Sequence, residues 1–396
     1  MPLWLITVQL ATLYECSLAD LGGNPVMNPN TASQRNSLMP RKIIDVHGHI
    51  VAPSELYSYR EFLIGSRGHY GRRLKGFSEA REGLGHGRTG VIPPEDLKHF
   101  AEEHIAWLDR VGTDVQLVSA RPYSLMHSEK PGRIVHWWAQ AVNDAIATQV
   151  EFYPQRLQGI ANLPLVWGDP VTGVFDELNR CVNELGFVGV LVNPDPSEGR
   201  APMEVPGLGD EYWYPLYEKL VEYQTPMLVH SCGCVSLREN QSLHFISEES
   251  VAVMSLVQSD VFEAFPDLKV IIPHGGGAIP YQVGRFRGTY WEGTGRPGTF
   301  DEAIRRLYYD TALYTEEALA LLVTAVGSDR VVLGTERPGD GSHKRTPTEA
   351  WADDIAAVLR GIPAHSAQDI DLMLGDTALD LFPRLRKNID VAGAAG

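Results

Sequence analysis

Cysteine is scarce: four residues, Cys16, Cys181, Cys232 and Cys234, in a chain of 396. That number excludes a disulfide framework and suits a reducing compartment, so a cytoplasmic location is expected. Apolar runs of membrane-spanning length are also missing, which excludes an integral membrane protein of the helical kind. Basic charge is in deficit, with 34 Lys and Arg against 50 Asp and Glu and a net charge of −16. No basic stripe offsets it, which argues against a nucleic-acid partner. A few arginines in a cleft can still serve a small anionic substrate. No internal repeat or low-complexity tract interrupts the chain. Its hydrophobic content of 44% and charged content of 21% are those of a globular protein able to bury a large core.

The first forty residues stand apart. An apolar run, LWLITVQLATLY, has the length of a signal peptide but no positively charged segment before it. A polar, turn-rich stretch follows. Residues 1–40 are therefore read as an extension, disordered or targeting, ahead of a catalytic domain over 41–387 and a tail at 388–396.

From Lys42 onward, short β-branched runs alternate with amphipathic stretches. The runs cover residues 42–49, 115–120, 158–164, 188–194, 226–231, 269–275, 307–312 and 330–336. Each has the length of a strand buried on both faces. Eight β-then-α units in succession predict an α/β fold, a closed (β/α)₈ TIM barrel in one catalytic domain. An open doubly wound sheet would call for a glycine-rich phosphate turn after the first strand, and HGHIVAP is not one. Residues 51–95, rich in Gly and Arg, break the rhythm. They are expected to form a long loop insertion after strand 1, over the active face.

The strongest chemical signal is D-V-H-G-H, Asp45 to His49. Residues i and i+2 of a strand share a face, so His47 and His49 project together into the barrel mouth. Two imidazoles so placed suit one divalent ion, with Gly48 read as leaving room for its approach. His230 ends strand five and is expected to be a third ligand. His274 ends strand six before three glycines and reads as a proton-transfer residue. Glu336 ends strand eight, where it binds the ion, takes a proton from its water, or does both in turn. Each alone would more often be a satisfied polar residue. Their coincidence at one end of one barrel makes them a site. Cys232 and Cys234 lie just past His230 and are better read as small loop residues than as thiolate ligands. Arg121 and Arg285 are candidate clamps for substrate carboxylates, whereas Arg287 serves equally as a surface ion pair. Asn193, before a proline at the end of strand four, donates to substrate or starts a turn.

At these residues the chain resembles the amidohydrolase superfamily, in its decarboxylase-like branch. The resemblance spans about residues 42–385 and rests on DVHGH, LVH and the HGGG run. Within the branch, CVNELGFVGVLVNPDP, YWYPLYEKLVE and VIIPHGGGAIPYQVGRFRG read like the hydratases that act on 4-oxalomesaconate in aromatic meta-cleavage catabolism. Decarboxylases of the branch carry Asp at the end of strand eight, and this chain carries Glu336. The resemblance implies Zn²⁺, with Mn²⁺ as an alternative, held by His47, His49, His230 and Glu336. It also implies a homodimer in which Arg285 reaches the neighbouring site. The expected activity is hydration of a conjugated C=C bond in a small oxo-tricarboxylate, a lyase reaction. Non-oxidative decarboxylation is the second reading, and lactone hydrolysis is the third. A non-enzymatic metal-binding protein would close the coordination shell with Cys or His instead of leaving an open position beside a spare histidine.

Overall fold

The computed structural model describes residues 42–68, 92–236, 238–294, 298–344 and 351–394. The N-terminal extension and most of the Gly- and Arg-rich segment after the first strand lie outside the described residues. The described start of that segment is a helix, Ser54–Ser66, which buries Leu56 and Leu63. At the other end, the helix Pro383–Ala394 runs through the boundary expected at residue 387.

All eight expected strands form. They are β1 (Ile44–His49), β2 (Val115–Ser119), β3 (Leu157–Asn162), β4 (Gly189–Val192), β5 (Met227–Val229), β6 (Val270–Ile272), β7 (Tyr308–Asp310) and β8 (Val331–Val332). Each pairs in parallel with the next in chain order. The barrel closes by bonds across β1 and the stretch following β8: Val46 N to Leu333 O (2.8 Å), Glu336 N to His47 O (2.7 Å) and His49 N to Arg337 O (2.8 Å). The architecture is the (β/α)₈ barrel. Strands are shorter than the apolar runs suggest because several runs continue past the ladder. His230, His274 and Glu336 sit just beyond their strands, where the chain leaves the barrel wall.

Asp45 holds the closure together. Its buried carboxylate accepts from His47 N, Thr335 N, Thr335 Oγ1 (2.5 Å) and Gln116 Nε2 (2.7 Å), so it ties β1 to β2 and to the residues after β8. Burial pushes its pKa up to about 6 despite those four donors. The same Gln116 corrects the reading of Gly48. A Cβ there would fall 2.2 Å from Gln116 Cδ. The missing side chain makes room for this glutamine, not for an ion.

Helices cover the barrel through regularly spaced apolar residues. The helix Pro94–Val111 starts with proline, whose missing N–H costs nothing in a first turn, and stops at Gly112, whose φ of 73° suits glycine. Its buried face carries Leu97, Ala101, His104 and Leu108, a 3.6-residue period. His104 packs beside Gln116, and burial pushes its imidazole pKa down to about 4. The unfolded chain accepts a proton near pH 6.5 that the fold refuses. Stability is therefore intact above that pH and is lost as the pH falls toward 4. Between pH 7 and 5 this one group costs roughly 2 kcal/mol. We predict that His104→Gln narrows its stability gap to the parent by about that amount over the same interval. Urea unfolding at the two pH values checks it, and a gap that stays constant would count against the buried neutral histidine.

Candidate metal centre

Three imidazoles converge at the C-terminal end of the barrel. Ring centroids of His47 and His49 lie 5.0 Å apart, those of His47 and His230 4.9 Å, and those of His49 and His230 5.3 Å. Each ring has its Nδ1 fixed by a partner: Asp310 Oδ2 for His47 (2.6 Å), Ser119 Oγ for His49 (2.9 Å) and the Ser231 carbonyl for His230 (2.7 Å). Asp310 and the carbonyl can only accept. Ser119 donates its own hydrogen to Gly48 O, so it too accepts from the imidazole. All three rings therefore donate through Nδ1, which in a neutral imidazole leaves the lone pair on Nε2.

Those three Nε2 atoms are buried and have no hydrogen-bond partner among the described residues. Leaving one buried polar nitrogen unpaired costs about 1–3 kcal/mol, and three facing one another would be prohibitive without something to bind. Burial, followed by the neighbouring imidazoles, pushes His49 and His230 well below the usual histidine range, which keeps their lone pairs available. Donor atoms of His47, His230, His274 and Glu336 all lie within 4.8 Å of one another. That group includes His274 and leaves out His49, whose ring centroid lies 5.0 Å from that of His47 and 5.3 Å from that of His230. Imidazoles with an adjacent carboxylate are the donor set of a divalent metal, and this buried site fits one.

His274 and Glu336 stand side by side at the edge of this cluster. His274 Nε2 stands 3.3 Å from Glu336 Oε1, and its Nδ1 is 2.8 Å from Glu249 Oε2. Burial opposes charge on His274, but the two carboxylates outweigh it and raise its pKa well above the ordinary value. Burial likewise opposes ionised Glu336, yet His274 and the other imidazoles hold it well below the carboxylate range. Both residues have left-handed backbone, φ 49° for His274 and 58° for Glu336, a conformation that costs a non-glycine residue about 1 kcal/mol or more. After His274 the chain keeps positive φ through Gly275, Gly276 and Gly277. Only glycine supports such a run, which is why HGGG follows the strand.

The other expected site residues divide. Arg121 is at the mouth, half-buried, with Nε donating to Ile50 O (3.2 Å) and Nη1 to Pro338 O (3.0 Å). Arg285 is exposed on the helix Val283–Thr294, and Arg287 makes the surface pair with Asp301 (2.8 Å). Asn193 is buried and committed to its turn: Nδ2 donates to Asp195 O (2.8 Å) and Cys232 Sγ (2.9 Å), while Oδ1 accepts from Asp195 N. Burial pushes the Cys232 thiol well up, away from thiolate chemistry. Asp310 and Glu249 are the functional neighbours that the sequence reading missed. Asp310 ends β7, and the strand-end criterion that found Glu336 applies to it equally. Glu249 is one acid within the helix Gln241–Val257 and carries no distinguishing signal.

This chain belongs to the amidohydrolase family, whose pattern matches residues 44–384. A 2-keto-4-carboxy-3-hexenedioate hydratase from Sphingobium sp. (strain NBRC 103272 / SYK-6) is 32% identical over 283 residues, 71% of this chain and 82% of that one. The solved 4-oxalomesaconate hydratase of Rhodopseudomonas palustris superposes with a TM-score of 0.76 at 28% identity, over 89% of this chain and 99% of that one. A 2-amino-3-carboxymuconate-6-semialdehyde decarboxylase from Dictyostelium discoideum is 28% identical over 246 residues, 58% of this chain and 64% of its own length.

Because Asp310 accepts from His47 Nδ1 at 2.6 Å, it should govern how well that ring binds an ion. Asp310→Ala is predicted to weaken divalent-metal affinity by about 10–100-fold. Competition against a chromophoric chelator measures it, and an unchanged affinity would remove Asp310 from the centre.

Proposed function

We propose that this protein is a metal-dependent hydratase that adds water to a conjugated C=C bond of a small oxo-tricarboxylate, 4-oxalomesaconate-like, in aromatic meta-cleavage catabolism. One observation carries the reading: the Glu336 carboxylate lies 3.3 Å from His274 Nε2 at the edge of the histidine cage, with Glu249 at the other ring nitrogen. Hydration needs a base for water and an acid for carbon, and this pair provides one of each. The similarity to two hydratases supports the substrate class.

His47, His49, His230 and Glu336 would hold the ion, which we assign as Zn²⁺ with Mn²⁺ as the alternative. When bound, it lowers the pKa of water in the site toward neutrality. Glu336 accepts a proton from the attacking water. The alkene carbon takes the hydroxyl, and the electron pair of the double bond moves onto the conjugated carbonyl oxygen. His274 delivers its Nε2 proton to the adjacent carbon, and Glu249 keeps the ring oriented. Arg121 binds a substrate carboxylate at the mouth. Exposed Arg285 is assigned to the neighbouring site of a homodimer. Asn193 shapes the wall through its turn. A cytoplasmic location accords with the free thiols of Cys181, Cys232 and Cys234. Decarboxylation is the second reading, since a protonated His274 also suits the carbon that loses CO₂, and a decarboxylase is among the relatives.

Metal-loaded protein mixed with an oxalomesaconate-type dienol or enone should bleach its near-ultraviolet absorbance without releasing CO₂. Glu336→Gln is expected to slow this by about 100-fold or more. Stoichiometric CO₂ release would replace the hydratase with the decarboxylase. A fully active Glu336→Gln variant would remove Glu336 as the base.

A further inference from the structure

Glu336 is fitted into its place by two loops. Its Oε2 accepts a hydrogen bond from the Tyr314 hydroxyl at 2.8 Å, and its Oε1 faces His274. A Cβ on Gly339 would stand 2.9 Å from both Cγ and Cδ of Glu336. A Cβ on Gly341 would stand 2.2 Å from Tyr314 Cε1. The two glycines of the P-G-D-G turn thus make room for the carboxylate arm and for the phenol ring that binds it. Tyr314 adopts a φ of 61°, so the loop after β7 carries backbone strain at the residue that reaches Glu336. Burial, with Glu336 beside it, pushes the phenol well up, which keeps it a donor.

A terminal carboxylate turns easily about its last bond and can offer a cation one oxygen or two. Two would occupy the position that a catalytic centre keeps open for its reactants. We propose that Tyr314 is a positioning residue whose hydroxyl caps Glu336 Oε2 and presents the carboxylate to the histidine cage through Oε1 alone. Glu336 carries a methylene that an aspartate lacks, and Tyr314, Gly339 and Gly341 together accommodate and orient that longer arm. The inference rests on the reading of Glu336 as a functional group of the metal centre, and it extends that reading to the loops after β7 and β8.

The test is Tyr314→Phe, read first by the visible absorption of the Co²⁺-loaded protein, which weakens as coordination number rises. The variant is expected to absorb more weakly than the parent. Its kcat should fall by about 10–100-fold with KM within about twofold. Gly341→Ala, which crowds the ring and leaves the hydroxyl in place, should shift the spectrum in the same direction. In a Glu336→Gln background, Tyr314→Phe should change neither the spectrum nor kcat further. A Tyr314→Phe protein with the parent spectrum and parent kcat overturns the proposal, as do losses that add fully in the double variant. The cobalt spectrum is read without substrate, so it decides the matter even if the hydratase reading fails.

Discussion

The closure of the barrel between β1 and the residues after β8 is the constraint on which the site depends. Asp45 draws donors from β1, from β2 and from Thr335 to one buried carboxylate. Glu336 N bonds directly to the carbonyl of His47. The first imidazole and the reactive carboxylate are thereby joined through one peptide hydrogen bond, although 289 positions separate them (336 less 47). Ligand spacing in such a centre is set by backbone that cannot slide. Side-chain choice then decides only what the fixed positions do.

Much of this was legible in the chain. Eight buried strands announce themselves as β-branched runs because both faces of a parallel barrel strand are covered. His47 and His49 are legible because two imidazoles at i and i+2 have few other uses on a strand, and His230, His274 and Glu336 because they end strands of the same barrel. The structure adds what spacing cannot encode. Nothing about Gly48 reveals that Gln116 fills its place, and nothing about Glu249 separates it from any other acid of an amphipathic helix. Asn193 shows the same limit: its residue type fits a substrate contact and a turn equally, and only its bonds to Asp195 and Cys232 reveal the turn.

The imidazoles illustrate how one residue type takes opposite states within a few ångströms. His49 and His230 face other imidazoles and are kept neutral, with their lone pairs exposed. His274 faces Glu249 and Glu336 and is kept charged. The difference comes from Glu336 on one side of the ring and, on the other, from the helix Gln241–Val257, which inserts Glu249 behind the sixth strand. The two states are thus separated by the carboxylates that face His274, Glu249 and Glu336, without recourse to a different side chain.

The short last strand has a consequence of another kind. β8 contributes only two residues, Val331 and Val332, to its ladder with β7, and the wall is completed by isolated bonds to β1. His47 and His49 stand on one side of this closure and Glu336 on the other, joined across it by Glu336 N to His47 O and His49 N to Arg337 O. The backbone that closes the barrel is thus the same backbone that sets the histidine cage beside Glu336, so container and site share one seam.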